Sequence, residues 1–122
     1  MSNAWRHIDV EARGDLHCAR LRHSRFEEKQ IDELATEIVA AGTVDGCRTI
    51  AVSLGPEPPD CLYSVFLGKL ISVQRRLNEK GRQLVLCEAG PDVRSIFAAC
   101  KLTDLFTFAN DFDAVTTKDR VV

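Results

Sequence analysis

The apolar and polar positions begin with Ile8-Asp9-Val10-Glu11-Ala12, which alternate as a strand with one buried face does. Arg13-Gly14-Asp15 is a turn signal, and 16–21 reads as a second strand, so an antiparallel hairpin is expected. The alternation slips at Cys18-Ala19, which fits either a bulge or a strand covered on both faces. From Phe26 the period changes. Ile31, Leu34, Ala35, Ile38 and Val39 recur at helical spacing, Glu27 and Glu28 occupy the first turn, and Gly42 is expected to stop the helix. Thr49-Ile50-Ala51-Val52-Ser53-Leu54 is then a short, apolar, β-branched run of the kind that forms a buried strand.

Pro56-Glu57-Pro58-Pro59-Asp60 is a stiff loop, because its prolines can neither continue the strand nor enter a helix interior. A second helix is predicted from Leu62 or Ser64 to Lys80, ended by Gly81, followed by a buried strand over 83–87. Pro91 opens a third helix at the favoured first-turn position, with Val93, Ile96, Phe97 and Cys100 on its apolar face. Leu102, Leu105 and Phe106 are expected to pack after it. Thr107-Phe108-Ala109 reads as a short last strand and 111–117 as a final helical turn or two. Helices alternating with buried strands call for an α/β domain with a mostly parallel sheet, an N-terminal antiparallel hairpin and helices packed on it. Residues 1–7 read as an N-terminal arm or tag remnant, 8–117 as the single domain and 118–122 as a frayed end.

Composition narrows the function. A chain of 122 residues fits one domain, and its net charge of −2 supplies no basic field for nucleic acid. No apolar run approaches the ~18–20 residues that span a bilayer, and no signal-peptide pattern opens the chain. The five cysteines, Cys18, Cys47, Cys61, Cys87 and Cys100, are odd in number and scattered, with no C-x-x-C pair. Among His7, His17 and His23 only His17 adjoins a cysteine, and neighbours on a strand point to opposite faces. Cys87, inside an apolar run, reads as a small core residue. The expectation is a reduced, cytoplasmic chain without metal or cofactor.

On a helical wheel turning 100° per residue, Leu62, Phe66, Leu67, Leu70, Val73 and Leu77 of the second helix share a core-facing arc. The opposite arc holds Ser64, Gly68, Ser72, Arg75, Arg76 and Glu79, with Val65 and Lys69 beside it. A solvated surface is the plain account of such an arc. Its first turns are small, however, so another backbone can approach, and Val65 adds an apolar contact. Ser64, near the helix start, reads first as a cap for free amides and second as a place that tolerates a phosphate.

Cys61-Leu62-Tyr63-Ser64-Val65-Phe66-Leu67-Gly68-Lys69-Leu70-Ile71 resembles the D-S-S-G-L-G segment of the STAS domain family, which includes anti-sigma-factor antagonists. Leu77-Asn78-Glu79-Lys80-Gly81-Arg82-Gln83-Leu84-Val85-Leu86 is similar to the family's L-x-x-x-G-G-x-L-x-L continuation. Pro91-Asp92-Val93-Arg94-Ser95-Ile96-Phe97 resembles its S-P-x-V-x-x-x-F helix, and Lys101-Leu102-Thr103-Asp104-Leu105-Phe106 its G-L-x-x-L-F element. The resemblance implies a non-enzymatic module that docks a GHKL-type anti-sigma kinase and is switched by serine phosphorylation. Tyr63 stands where the family has Asp, Ser64 matches the first serine, Val65 replaces the second and Phe66 replaces Gly. Ser64 is therefore the phosphorylation candidate, and Glu57, Asp60, Tyr63, Ser64, Val65, Gly68 and Ser72 are the expected partner-binding residues.

Two other readings stay open. One is a constitutive STAS subunit of a signalling scaffold or lipid-transport ATPase complex. The other is a small enzyme or ligand-binding domain using the 55–64 loop, which follows a buried strand as ligand loops of α/β proteins do. That loop has no phosphate-loop pattern, its prolines remove N–H donors, and His7, His17 and His23 all lie in or near the hairpin, far in sequence from it.

Overall fold

The computed structural model of the chain describes residues 5–22, 26–54 and 64–115, with the side chain of Ser64 outside that set. Elements follow in the order β1 (Ile8–Arg13), β2 (Leu16–Leu21), α1 (Glu28–Gly42), β3 (Thr49–Ser53), α2 (Ser64–Glu79), β4 (Gln83–Cys87), α3 (Pro91–Ala99) and β5 (Thr107–Ala109). A further helical turn covers 112–115. The sheet runs β1-β2-β3-β4-β5; β1 pairs antiparallel with β2, and every other pairing is parallel. Each helix thus carries the chain from one strand to the next in the same direction across the sheet. Crossovers of one hand then place α1, α2 and α3 on one face.

The larger core lies on that face, where Ile50, Val52, Leu84 and Leu86 meet Leu34, Ile38, Phe66, Leu70, Leu77 and Phe97. The other face carries Leu16, Cys18, Ala51, Val85, Cys87 and Ala109, covered by Phe112 and Val115 of the last turn. Cys18 therefore faces one core and Ala19 the other, and β2 pairs with β1 in unbroken register. The slip in alternation marks a strand covered on both sides, not a bulge. β3 is buried at all five positions because it is the central strand.

Local signals set the helix ends. Gln30 accepts a hydrogen bond from the Glu27 amide at 2.9 Å, half of a capping box that starts α1. Gly81, with φ +75°, lets Arg82 N donate to Leu77 O at 2.8 Å and so closes α2. Gly42 ends α1 as expected and has a second task as well. It is the last residue of α1, with Thr43 as cap, and a Cβ there would lie 2.8 Å from Leu77 Cδ2 and 2.9 Å from Ile50 Cγ2. Its lack of a side chain admits β3 and α2.

Two positions expected to pack are exposed. Cys100 caps α3 in solvent, and Leu105 is 46% exposed in the turn before β5, whereas Phe106 is buried. Past the last helical residue the 3.6 period no longer fixes which side chains turn inward.

Leu77 is fully buried, so Leu77→Ala should cost about 2–5 kcal/mol in urea unfolding. Gly42→Ala should cost about 1–3 kcal/mol, although alanine is the better helix former, because both facing side chains must move.

Candidate functional site

The expected inward arc of α2 is buried at Phe66, Leu67, Leu70, Val73 and Leu77. This seating turns Val65, Gly68, Ser72, Arg75, Arg76 and Glu79 outward, and all are exposed. Val65 keeps 43% of its surface. At Gly68 a Cβ would meet nothing within 4 Å among the described residues, so no packing among them requires glycine there. Lys69 Nζ reaches Asp32 of α1 at 2.6 Å and ties the flank of this stripe to its neighbour helix.

Val65, Gly68 and Ser72 thus lie together on one solvent-facing stripe. Glu57, Asp60 and Tyr63 lie outside the described residues, as does the Ser64 side chain; Ser64 is the first residue of α2. His23, Cys61 and Leu62 also fall outside them.

At the same end of the sheet a polar cluster joins the ends of three strands, a grouping not anticipated from the sequence. The buried Ser53 hydroxyl, at the end of β3, donates to Glu88 Oε1, and Arg20 Nη1 donates to the same oxygen at 3.2 Å. Glu88 takes a left-handed φ of +58°, a conformation costing on the order of 1 kcal/mol for a residue with a side chain. Its amide donates to Asn110 O at 3.1 Å, which holds the end of β5. The Arg20 guanidinium lies 4.7 Å from the centre of the Phe112 ring, and Arg13 pairs with Asp113 at 3.0 Å. This cluster commits the Ser53 proton to Glu88 and fastens the last turn over the sheet. The register Ser53↔Cys87 was its only trace in the sequence, and it needs the β3–β4 pairing to be visible.

Burial pushes the Cys18 thiol up to about 11 and the Cys87 thiol up to about 12, and Cys47 is raised for the same reason. Cys18 and Cys87 lie under Phe112 with β3 between their strands, too far apart for a disulfide. His17 Nδ1 donates to Ala41 O at 3.1 Å on the helix side, opposite Cys18. His7 Nε2 donates to Glu33 Oε1 at 2.9 Å, and this bond holds the Glu33 carboxyl below its usual range. Among the described residues no three His, Cys, Asp or Glu side chains are placed to hold a metal, and no helix is long and apolar enough to cross a membrane.

The sequence matches no protein-family model and no curated protein sequence. Solved structures are more informative. An anti-sigma-factor antagonist (STAS) domain protein from Planctomyces limnophilus superposes with a TM-score of 0.75 at 16% identity, over 91% of this chain and 96% of that one. The chain has the STAS fold.

Other STAS-fold neighbours agree. The anti-sigma factor antagonist SpoIIAA in its unphosphorylated form gives a TM-score of 0.69 at 18% identity, over 94% of this chain and 98% of that one. The Bacillus cell fate determinant SpoIIAA in its phosphorylated form gives 0.63 at 17% identity, over 91% of this chain and 98% of that one. Within this STAS fold, residues 64–68 of the segment resembling D-S-S-G-L-G form the start of α2, where the exposed stripe begins; Tyr63 lies outside the described residues.

The raised thiols set a pH dependence. A thiol that holds its proton more tightly when folded stabilises the fold fully below its ordinary pKa of 9.0, and that stabilisation is lost as pH rises through about 11 for Cys18 and about 12 for Cys87. The urea midpoint should therefore fall as pH is raised above 9.0, and the fall should be shallower in a Cys18→Ala, Cys87→Ala variant.

Proposed function

We propose that this chain is a regulatory protein-interaction module of the anti-sigma-factor antagonist kind, not an enzyme. It docks a GHKL-type anti-sigma kinase or related signalling protein in the cytoplasm, through the start of α2 and the loop before it. The observation that carries this reading is the open stripe of Val65, Gly68 and Ser72. A mid-helix glycine costs about 1 kcal/mol relative to alanine. At Gly68 no contact among the described residues offsets that cost, whereas a partner backbone laid over it would. Val65 beside it offers apolar surface that gains on burial.

The STAS fold supports the same reading, since one neighbour with this fold is an antagonist solved in both unphosphorylated and phosphorylated forms. A phosphate on Ser64 would add about −1.5 to −2 charges at the first residue of α2, where helix amides favour an anion. A partner fitted to the neutral face would meet bulk and an unpaired charge. Val65 favours a second reading. It stands exposed where the family motif has its second serine, as suits a constitutive subunit of a signalling scaffold or lipid-transport ATPase complex.

A tagged pull-down from the native organism separates these readings, using wild type, Ser64→Asp and Gly68→Trp with intact-mass analysis. The expected result is a kinase held by wild type, released by both variants, with a phosphorylated chain present. The same partner on wild type and Ser64→Asp, with no phosphorylated chain, establishes the constitutive reading. Retention by Gly68→Trp removes docking at α2.

A further inference from the structure

Beyond its start, α2 flanks a groove of about 410 Å³ lined by Ile71, Gln74, Arg75, Asn78, Glu79 and, from the turn before β5, Leu105. We propose that this groove receives an acidic protein segment carrying an apolar anchor, and so sets which partner the docking face accepts; the inference rests on the docking reading above. Ile71 is half-buried and Leu105 largely open, so the floor is apolar and wet. Gln74 Nε2 donates to Leu105 O at 2.6 Å, which fixes the turn against the helix and leaves the groove preformed.

Charge identifies the occupant. α2 carries Lys69, Arg75 and Arg76 and has no carboxylate before Glu79. Lys69 is already paired with Asp32, whereas Arg75 and Arg76 form no ion pair among the described residues. Glu79 lies one helical turn beyond Arg75 and is not within pairing distance of it. The acids gather instead on α1, as Glu28, Asp32, Glu33 and Glu37. A net charge near neutrality therefore hides a basic α2 beside an acidic α1. Carboxylates flanking an apolar side chain would meet Arg75 and Arg76 while the anchor fills the space between Ile71 and Leu105.

The groove also continues the docking stripe. Arg75 follows Gly68 by seven residues, which returns the helix to within about 20° of the same direction. One partner segment can thus lie over Gly68 and Ser72 and reach Leu105. An anionic bilayer is the less suitable occupant, because the apolar surface is a recess between two elements, not a protruding face.

The test is an amide-resolved NMR titration with a short synthetic helical peptide of Leu and Glu, its counterpart with Lys for Glu, and phosphatidylserine vesicles. The acidic peptide should shift the amides of Ile71, Arg75 and Leu105 and bind about tenfold more weakly to Arg75→Glu, Arg76→Glu. These side chains are exposed, so circular dichroism should show the variants folded. Equal binding of the basic peptide, shifts confined elsewhere, no shift, or vesicle binding in place of peptide binding overturns the assignment. The captured partner separates the two levels. If it leaves Gly68→Trp but stays on Arg75→Glu, Arg76→Glu and on Leu105→Asp, docking stands and the acidic-anchor assignment falls. If it stays on all of them, docking itself falls.

Discussion

The approach of α1 to β3 and α2 at Gly42 fixes the geometry on which the helix-covered side depends. With only a hydrogen where a side chain would stand, the end of α1 rests directly on Ile50 and Leu77. This contact sets the height of α1 above the sheet, and α2, packed alongside, must take a matching height and rotation. Interiors at near-crystalline density leave little freedom for either. Once Phe66, Leu70 and Leu77 point inward, helical geometry gives Val65, Gly68, Ser72 and Arg75 no direction but outward. The exposed stripe is thus a consequence of how the core closes, although none of its residues belongs to that core.

The two faces of the sheet solve unequal problems. Three helices cover one face, and the strands present Ile50, Val52, Leu84 and Leu86 to them. Among the described residues the turn at 112–115 covers the other, and the side chains beneath it are smaller: Cys18, Ala51, Val85, Cys87 and Ala109. Phe112 and Val115 pack over them. The rim is closed by Arg13, Arg20, Glu88 and Asp113. Exposed pairs of this kind are screened by solvent and add little to stability, so apolar contact holds the cover and the charges orient it. The strained backbone at Glu88 fits that division, since one residue joins Ser53, Arg20 and the end of β5.

How far the sequence revealed this depends on whether a feature is periodic. β3 and β4 were legible because continuous apolar runs bounded by turn residues have few other destinations, and the inward arc of α2 followed from its repeat. The exposure of Val65, Gly68 and Ser72 followed from the same wheel. Gly42 was legible as the end of α1, but its second role, admitting Ile50 and Leu77, shows only once those neighbours are placed. Cys100 and Leu105 lie beyond the last helical turn, where periodicity carries no phase. Ser53 and Glu88 are 35 positions apart, and only the strand register brings them together. The other half of the expected docking face, Glu57, Asp60, Tyr63 and the Ser64 side chain, lies outside the described residues.

The departures from the D-S-S-G pattern do not carry equal weight once placed on the helix. Phe66, standing for a glycine, is 2% exposed and packs with Leu70 and Leu77, so the core absorbs that change and gains volume from it. Val65, standing for a serine, keeps 43% of its surface, and a β-branched side chain there slightly lowers helix propensity. A valine offers no hydroxyl to modify and loses hydrating water when covered. Position 64 precedes it by one residue, a step of about 100° around a helix. In the proposed docking face, position 65 can supply only apolar contact, so a switch based on serine modification has to act from a neighbouring position.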